Sequence, residues 1–492
     1  MDEDTRKTPN GIAFPAGPDG RRSTLAAGRE VFAAALDAVS SGAAHAARAE
    51  RRWHTGYMTH ARRAVEIGLG DATTMQAIAR TGLDALHDRF EFLRAGGTLP
   101  LRAAMAQPGQ RTFETVTVVG SGQARPELAV PYRGRRLAGD ALRRQLDAWA
   151  VAGAIEPSCA AAIGKVIDHP DWLDLSDWHV AVLGAGAELG PLPTLVNWRA
   201  NLAAIDLPGT PAWGRILATA RAGNGRVLLP MHEPLEAEDT TLAFKAGADL
   251  LTETPEIRDW LAALPGPLVV GSYAYLDGAE HVRVSLAMDA IVASLMARRE
   301  DVVPAWLLSP TDVFAVPEEA ARAAMRAWET RGAKAALQAP LRALSGGRFF
   351  APNVGGLVDC GGGCAGIVDA LVAQQGANYL LAKRLQQWRA IDAAGRRQSC
   401  NVAPATRTRS VVKNKALAAA YDGAHHFGVE IFEPDTANAL MAALLVHDLR
   451  AGANAYAHPA ERFMDKAAHG GLWRIAYRPR SALPFAAVLG LF

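Results

Sequence analysis

Cysteine is scarce in this chain. Only four occur in 492 residues, Cys159, Cys360, Cys364 and Cys400. They are too few and too scattered for a disulfide framework, so a reduced, cytoplasmic setting is expected. No run of about 18 uncharged apolar residues occurs, so neither a membrane-spanning helix nor a membrane partner is expected. The first residues, Met1-Asp-Glu-Asp-Thr-Arg-Lys, lack the apolar core of a secretory signal. An excess of charge is missing too: 52 basic residues face 50 acidic ones. Without a basic patch, no nucleic-acid partner is expected. Internal repeats are absent, as is low-complexity sequence beyond residue 25.

Half of the residues are hydrophobic, and the length suits two or three domains around a large core. Residues 1–25, rich in Gly, Pro and charge, read as a flexible arm. Residues 26–177 read as mainly helical, with a strand near Thr115–Gly120. From 178 to 335 apolar strand candidates alternate with helical stretches: His179–Leu183, Leu202–Ile205, Arg226–Leu229, Ala248–Leu251, Pro267–Val270 and Val302–Leu308. Parallel neighbours need crossover connections, so this alternation predicts an α/β fold with a doubly wound parallel sheet. Residues 336–492 read as a mainly helical cap, with helices near Ile367–Ile391, Val411–Tyr421 and Thr436–Arg450.

The first strand of the alternation runs into Gly184-Ala-Gly186-Ala187-Glu188-Leu-Gly190, and the second ends on Asp206. Glycines permit a tight turn and a close approach to a pyrophosphate, and an acid about 20 residues on accepts ribose hydroxyls. In this stretch the chain resembles the NAD(P)-binding Rossmann superfamily. The three-residue gap between Gly186 and Gly190 is similar to the spacing in short-chain dehydrogenase/reductase-like members. The resemblance implies a Rossmann-like sheet and a dinucleotide held by Gly184, Gly186, Ala187, Glu188, Gly190 and Asp206. The acid favours NAD over NADP. S-adenosylmethionine binding is a competing use of the same shape. Methyltransferases of that kind usually carry an acid two residues before the first loop glycine, where this chain has Val182.

Hydride exchange with a carbonyl needs a proton donor for the oxygen. The resemblance implies a Ser at a strand end and a Tyr-x-x-x-Lys pair on the next helix. The segment Val270-Gly-Ser272-Tyr-Ala-Tyr275 supplies Ser272 and Tyr275 at a strand end, where open α/β sheets bind ligands. The following helix departs from the pattern, reading His281-Val-Arg-Val-Ser285. Tyr379-Leu-Leu-Ala-Lys383 does occur further on, at a spacing that puts both groups on one helical face.

The Cys360-Gly-Gly-Gly-Cys364 turn has no second close pair to complete a tetrahedral zinc site, and no metal is expected. Asn401 to Lys415 carries four basic residues among Ser and Thr, a solvated helix start or a pocket for an acidic substrate group. The expectation is therefore an NAD(P)-dependent oxidoreductase acting on a small-molecule carbonyl or alcohol, with a homodimer as the default assembly. The alternatives are a methyltransferase and a non-catalytic binding or scaffold protein.

Overall fold

The computed structural model describes residues 10–360, 363–452 and 455–491. Seven strands build the central sheet: β1 (Glu114–Val119), β2 (His179–Leu183), β3 (Asn201–Ile205), β4 (Arg226–Met231), β5 (Leu268–Ser272), β6 (Val302–Leu308) and β7 (Ser399–Val402). Their order is β7-β6-β5-β2-β3-β4-β1. All neighbours are parallel except β1, which closes one edge antiparallel to β4. From β2 the chain winds outward through β3 and β4, then crosses back to place β5 on the other side of β2. The reversal lies between β2 and β5.

The inner strands are apolar on both faces because both are covered. Val180, Val182, Leu202, Ala204 and Val269 enter one core, whereas Ala181, Leu183, Ala203, Ile205, Leu268 and Val270 enter the other. Successive strand side chains point to opposite sides, so each strand feeds two cores alternately. The first core is roofed by Gly139–Val151, Pro157–Asp168, Ala212–Ala222 and Pro434–Arg450. The second lies under Thr24–Asp37, Trp53–Gly68, Ala72–Arg89, Gly278–Arg298 and Gly376–Asp392.

Helix starts follow local chemistry. Ser23, Ser40 and Asp71 each accept a backbone N–H three residues on, satisfying donors that a helix N-terminus leaves free. Small residues then let the helices approach closely. A Cβ on Gly82 would stand 2.5 Å from the Trp388 ring.

Several expectations need correction. Ala248–Leu251 is not a strand. It crosses the ends of β3 and β4, with Gly247 N–H bonded to Pro230 O and Ala248 N–H to Asp206 O, and it is apolar because Ala248 and Leu250 are buried. The sixth parallel strand comes instead from Ser399–Val402, so the sheet is not confined to 178–335. The helix expected over Ile367–Ile391 is a strand, Cys364–Asp369, followed by a helix from Gly376. That strand pairs with Val313–Pro317 and Leu357–Asp359 in a small antiparallel sheet. The arm expected over 1–25 does not include Gly11–Ala13, which pairs with Glu91–Arg94; residues 1–9 lie outside the described residues.

Candidate functional site

In a parallel sheet every strand delivers its last residue to the same edge. Gly184 follows β2, Asp206 follows β3, Ser272 ends β5 and Ser309 follows β6. Edge and reversal coincide at β2 and β5, where open α/β sheets take their ligands.

The glycine turn is folded in on itself. Gly184 and Ala185 both donate N–H to Ile205 O, Ala187 donates to Gly184 O, and Gly190 donates to Ala187 O. Gly186 N–H donates to Asp206 Oδ2 at 2.6 Å, and Leu207 N–H to Oδ1 at 2.8 Å. Burial raises the Asp206 pKa against those two donors. Gly184 has φ +92, and the Ala274 backbone sits 2.5 Å from where its Cβ would be; only glycine fits there. The helix after the turn, Leu192–Leu195, has four residues. The long helix N-terminus that usually faces a pyrophosphate is therefore absent at this position. Glu188 points toward the C-terminal part, accepting Arg409 N–H at 2.9 Å.

Ser272, Tyr275, Tyr379 and Lys383 come from segments about a hundred residues apart. The structure brings Tyr275, Tyr379 and Lys383 together. The rings of Tyr275 and Tyr379 lie 6.4 Å apart, and Lys383 Nζ lies 5.8 Å from the Tyr379 ring centroid. His281 packs against both phenols, 4.6 Å from Tyr275 and stacked 5.6 Å from Tyr379. The Tyr379 hydroxyl donates to Ser309 Oγ at 2.8 Å, and Ser309 Oγ lies 2.8 Å from Thr311 Oγ1. Ser272 is buried at the end of β5, and among the described residues no hydrogen bond joins its Oγ to the phenols.

The electrostatics of this cluster follow from burial. Burial lowers the Lys383 pKa to about 8, with Asp312 opposing. Burial holds Tyr379 up at about 12 and pushes Tyr275 upward, with Asp277 adding to the rise. The His281 pKa falls well below the ordinary imidazole value through burial and then the Lys383 charge. The ring is therefore neutral. Neither of its nitrogens has a hydrogen-bond partner among the described residues, nor do Ser272 Oγ and Ser285 Oγ. A buried imidazole with two unmet nitrogens invites a guest, because each unmet polar atom is costly.

Sequence reading missed His281, Ser309 and Thr311. His281 and Ser285 lie one turn apart on a largely apolar helix that also carries Glu280, Arg283 and Asp289, a visible signal, but the meeting of His281 with Tyr379 depends on tertiary packing. Ser309 and Thr311 follow β6 directly, at the sheet edge. Half of the basic segment is paired: Arg407 with Asp422, and Arg409 at 3.5 Å from Glu188. Asn401 lies in β7 and donates to Asp448. Cys364 begins a strand of the small antiparallel sheet, where it pairs with Asp359, and Cys360 Sγ lies 3.2 Å from Gly363 O; Gly361 and Gly362 fall outside the described residues. No group of three metal-ligating side chains occurs among the described residues.

The sheet and its edge define an α/β protein with an aromatic-walled polar cluster beyond the C-terminal ends of its parallel strands. No protein-family model matches the chain, and no curated protein matches it in sequence.

Proposed function

We propose that the protein is an NAD(P)-dependent oxidoreductase that exchanges a hydride with a carbonyl or alcohol, with Tyr379 as the proton donor to the substrate oxygen. The observation that carries this reading is the convergence of Tyr379, Lys383, Tyr275 and His281 at the sheet edge. An amine whose pKa burial lowers to about 8, beside a phenol and a neutral imidazole, is suited to moving a proton. Lys383 tunes the field at the phenol, and Ser309 and Thr311 orient its hydroxyl.

The strand order supports a Rossmann-like reading. Leaving out β1, the sequence β4-β3-β2-β5-β6-β7 is the arrangement of doubly wound dinucleotide-binding sheets. The fit of the cofactor turns on one bond, Gly186 N–H to Asp206. Breaking it frees an amide for a phosphate and a carboxylate for a ribose diol. Gly184, Gly186, Ala187, Glu188, Gly190 and Asp206 would hold the dinucleotide, which supplies or accepts the hydride when bound.

A second reading, a non-catalytic α/β scaffold, is favoured by the internal pairing of the turn's amides and its four-residue helix. Titration of the protein with NADH and NADPH, read by nicotinamide fluorescence, separates the two. The oxidoreductase reading expects saturable binding that Asp206→Ala weakens at least about tenfold for NADH, an ion-assisted hydrogen bond being worth about 1.5–3 kcal/mol. Tyr379→Phe should retain binding and lower turnover by about 10²–10⁴-fold. Absence of nicotinamide binding supports the scaffold, and binding of S-adenosylmethionine alone supports a methyltransferase.

A further inference from the structure

The Ala333–Leu344 helix is turned inside out. A surface helix ordinarily faces its apolar stripe to the core. Here Leu337, Leu341 and Leu344, at positions i, i+4 and i+7, share one face and are 77%, 42% and 87% exposed. The other face meets the body of the protein. Gln338 Nε2 lies 2.8 Å from the Tyr477 hydroxyl, and the Arg342 guanidinium lies 5.1 Å from the Trp328 ring centroid. No residue of this helix is buried.

Further apolar side chains are exposed beyond the helix. Phe349 is exposed and meets Phe485 edge-on at 5.3 Å. Val488 and Leu489 lie three and four residues beyond Phe485 on the Pro479–Leu489 helix, hence on the same face, and both are exposed. Charge accompanies this surface. From residue 330 to 358 there is no Asp or Glu, whereas Arg331, Lys334, Arg342 and Arg348 are basic. Among the described residues, no ion pair engages any of the four.

We infer that this face is a peripheral docking surface for an anionic lipid bilayer. An outward leucine stripe inserts at the acyl boundary while flanking Lys and Arg side chains meet lipid phosphates and carboxylates. A second copy of the chain fits less well, because a two-fold interface sets a patch against itself and would bring its cations, Lys334 and Arg348 among them, toward their own copies. The mode is interfacial, since no helix of the described residues is long and apolar enough to cross a membrane. This inference departs from the sequence expectation of no membrane partner, which rested on the absence of a long uncharged apolar run.

The test is flotation of the full chain with phosphatidylcholine vesicles, with and without phosphatidylserine, at low and high salt. The expected result is binding to the serine-containing vesicles that weakens with salt. The double variant Leu337→Glu/Leu341→Glu should lose it, while Lys334→Glu/Arg348→Glu should weaken it about tenfold or more. Both variants should keep the wild-type circular dichroism spectrum and melting temperature, because these side chains touch little of the fold. Three outcomes overturn the inference: no preference for anionic vesicles, undiminished binding by the leucine variant, or a soluble dimer that the leucine variant dissolves.

Discussion

Lys383 shows how one residue carries both a cost and a capability. Its ammonium is drawn out of water beside the Tyr379 ring, and its pKa drops from 10.5 to about 8. Between those values the unfolded chain still holds a proton that the folded chain has released, so stability rises with pH across the window. Below pH 8 both states are protonated, and the folded state bears the desolvation penalty in full, about 3 kcal/mol. Lys383→Met should therefore stabilise the protein by about 3 kcal/mol at pH 7, with the gain fading as the pH approaches 10.5. Urea unfolding of both proteins at the two pH values checks this; an equal gain at both would assign it to packing. The Tyr379–Lys383 pair was legible in the sequence because its spacing is local. Its partner His281 was not, since no pattern in one helix announces which ring a distant helix will lay against it.

At the scale of elements, the helices that carry these groups are joined by a buried carboxylate. Asp289, on the helix that begins near His281, accepts Arg389 Nε at 2.8 Å and Nη2 at 2.9 Å, and lies 2.7 Å from His87 Nε2. Three helices, Ala72–Arg89, Gly278–Arg298 and Gly376–Asp392, thus meet on one side chain. Asp289→Ala should cost about 3–5 kcal/mol, because it removes the buried carboxylate from Nε and Nη2 of a buried guanidinium and leaves only Asp392, 2.8 Å from Nη1, to balance the charge. Chemical denaturation measures the loss, and a change within about 1 kcal/mol, the usual worth of an exposed pair, would mean that water reaches Arg389. The same scale explains which elements the sequence reveals. β2, β3 and β6 are apolar because both sheet faces are buried, and their runs are visible directly. Ala248–Leu251 mimics them, since a buried crossing segment and a buried strand share a composition. β7 reads Ser-Cys-Asn-Val and escapes notice. Its polar side chains are satisfied inside the fold, where Ser399 Oγ and Asn401 Nδ2 both donate to Asp448 Oδ2 at 2.8 Å.

For the whole molecule, β7 decides what can stand alone. The sheet takes β1 from the N-terminal third of the chain and β7 from the C-terminal fifth. Its faces are covered by helices from both flanks, Thr24–Asp37 and Gly376–Asp392 on one side and Gly139–Val151 and Pro434–Arg450 on the other. A fragment of residues 178–335 would retain five parallel strands but lose both edge strands. It would also expose much of two apolar faces, each square ångström of which costs about 25 cal/mol. The Tyr379–Lys383 pair would be lost with them. Such a fragment is expected to aggregate, or to show no cooperative thermal transition, whereas the full chain unfolds sharply. Size-exclusion chromatography and calorimetry of the two proteins test this. A soluble fragment with its own sharp transition would show that the flanking regions are appendages to the central sheet, whereas the two shared cores make them part of it.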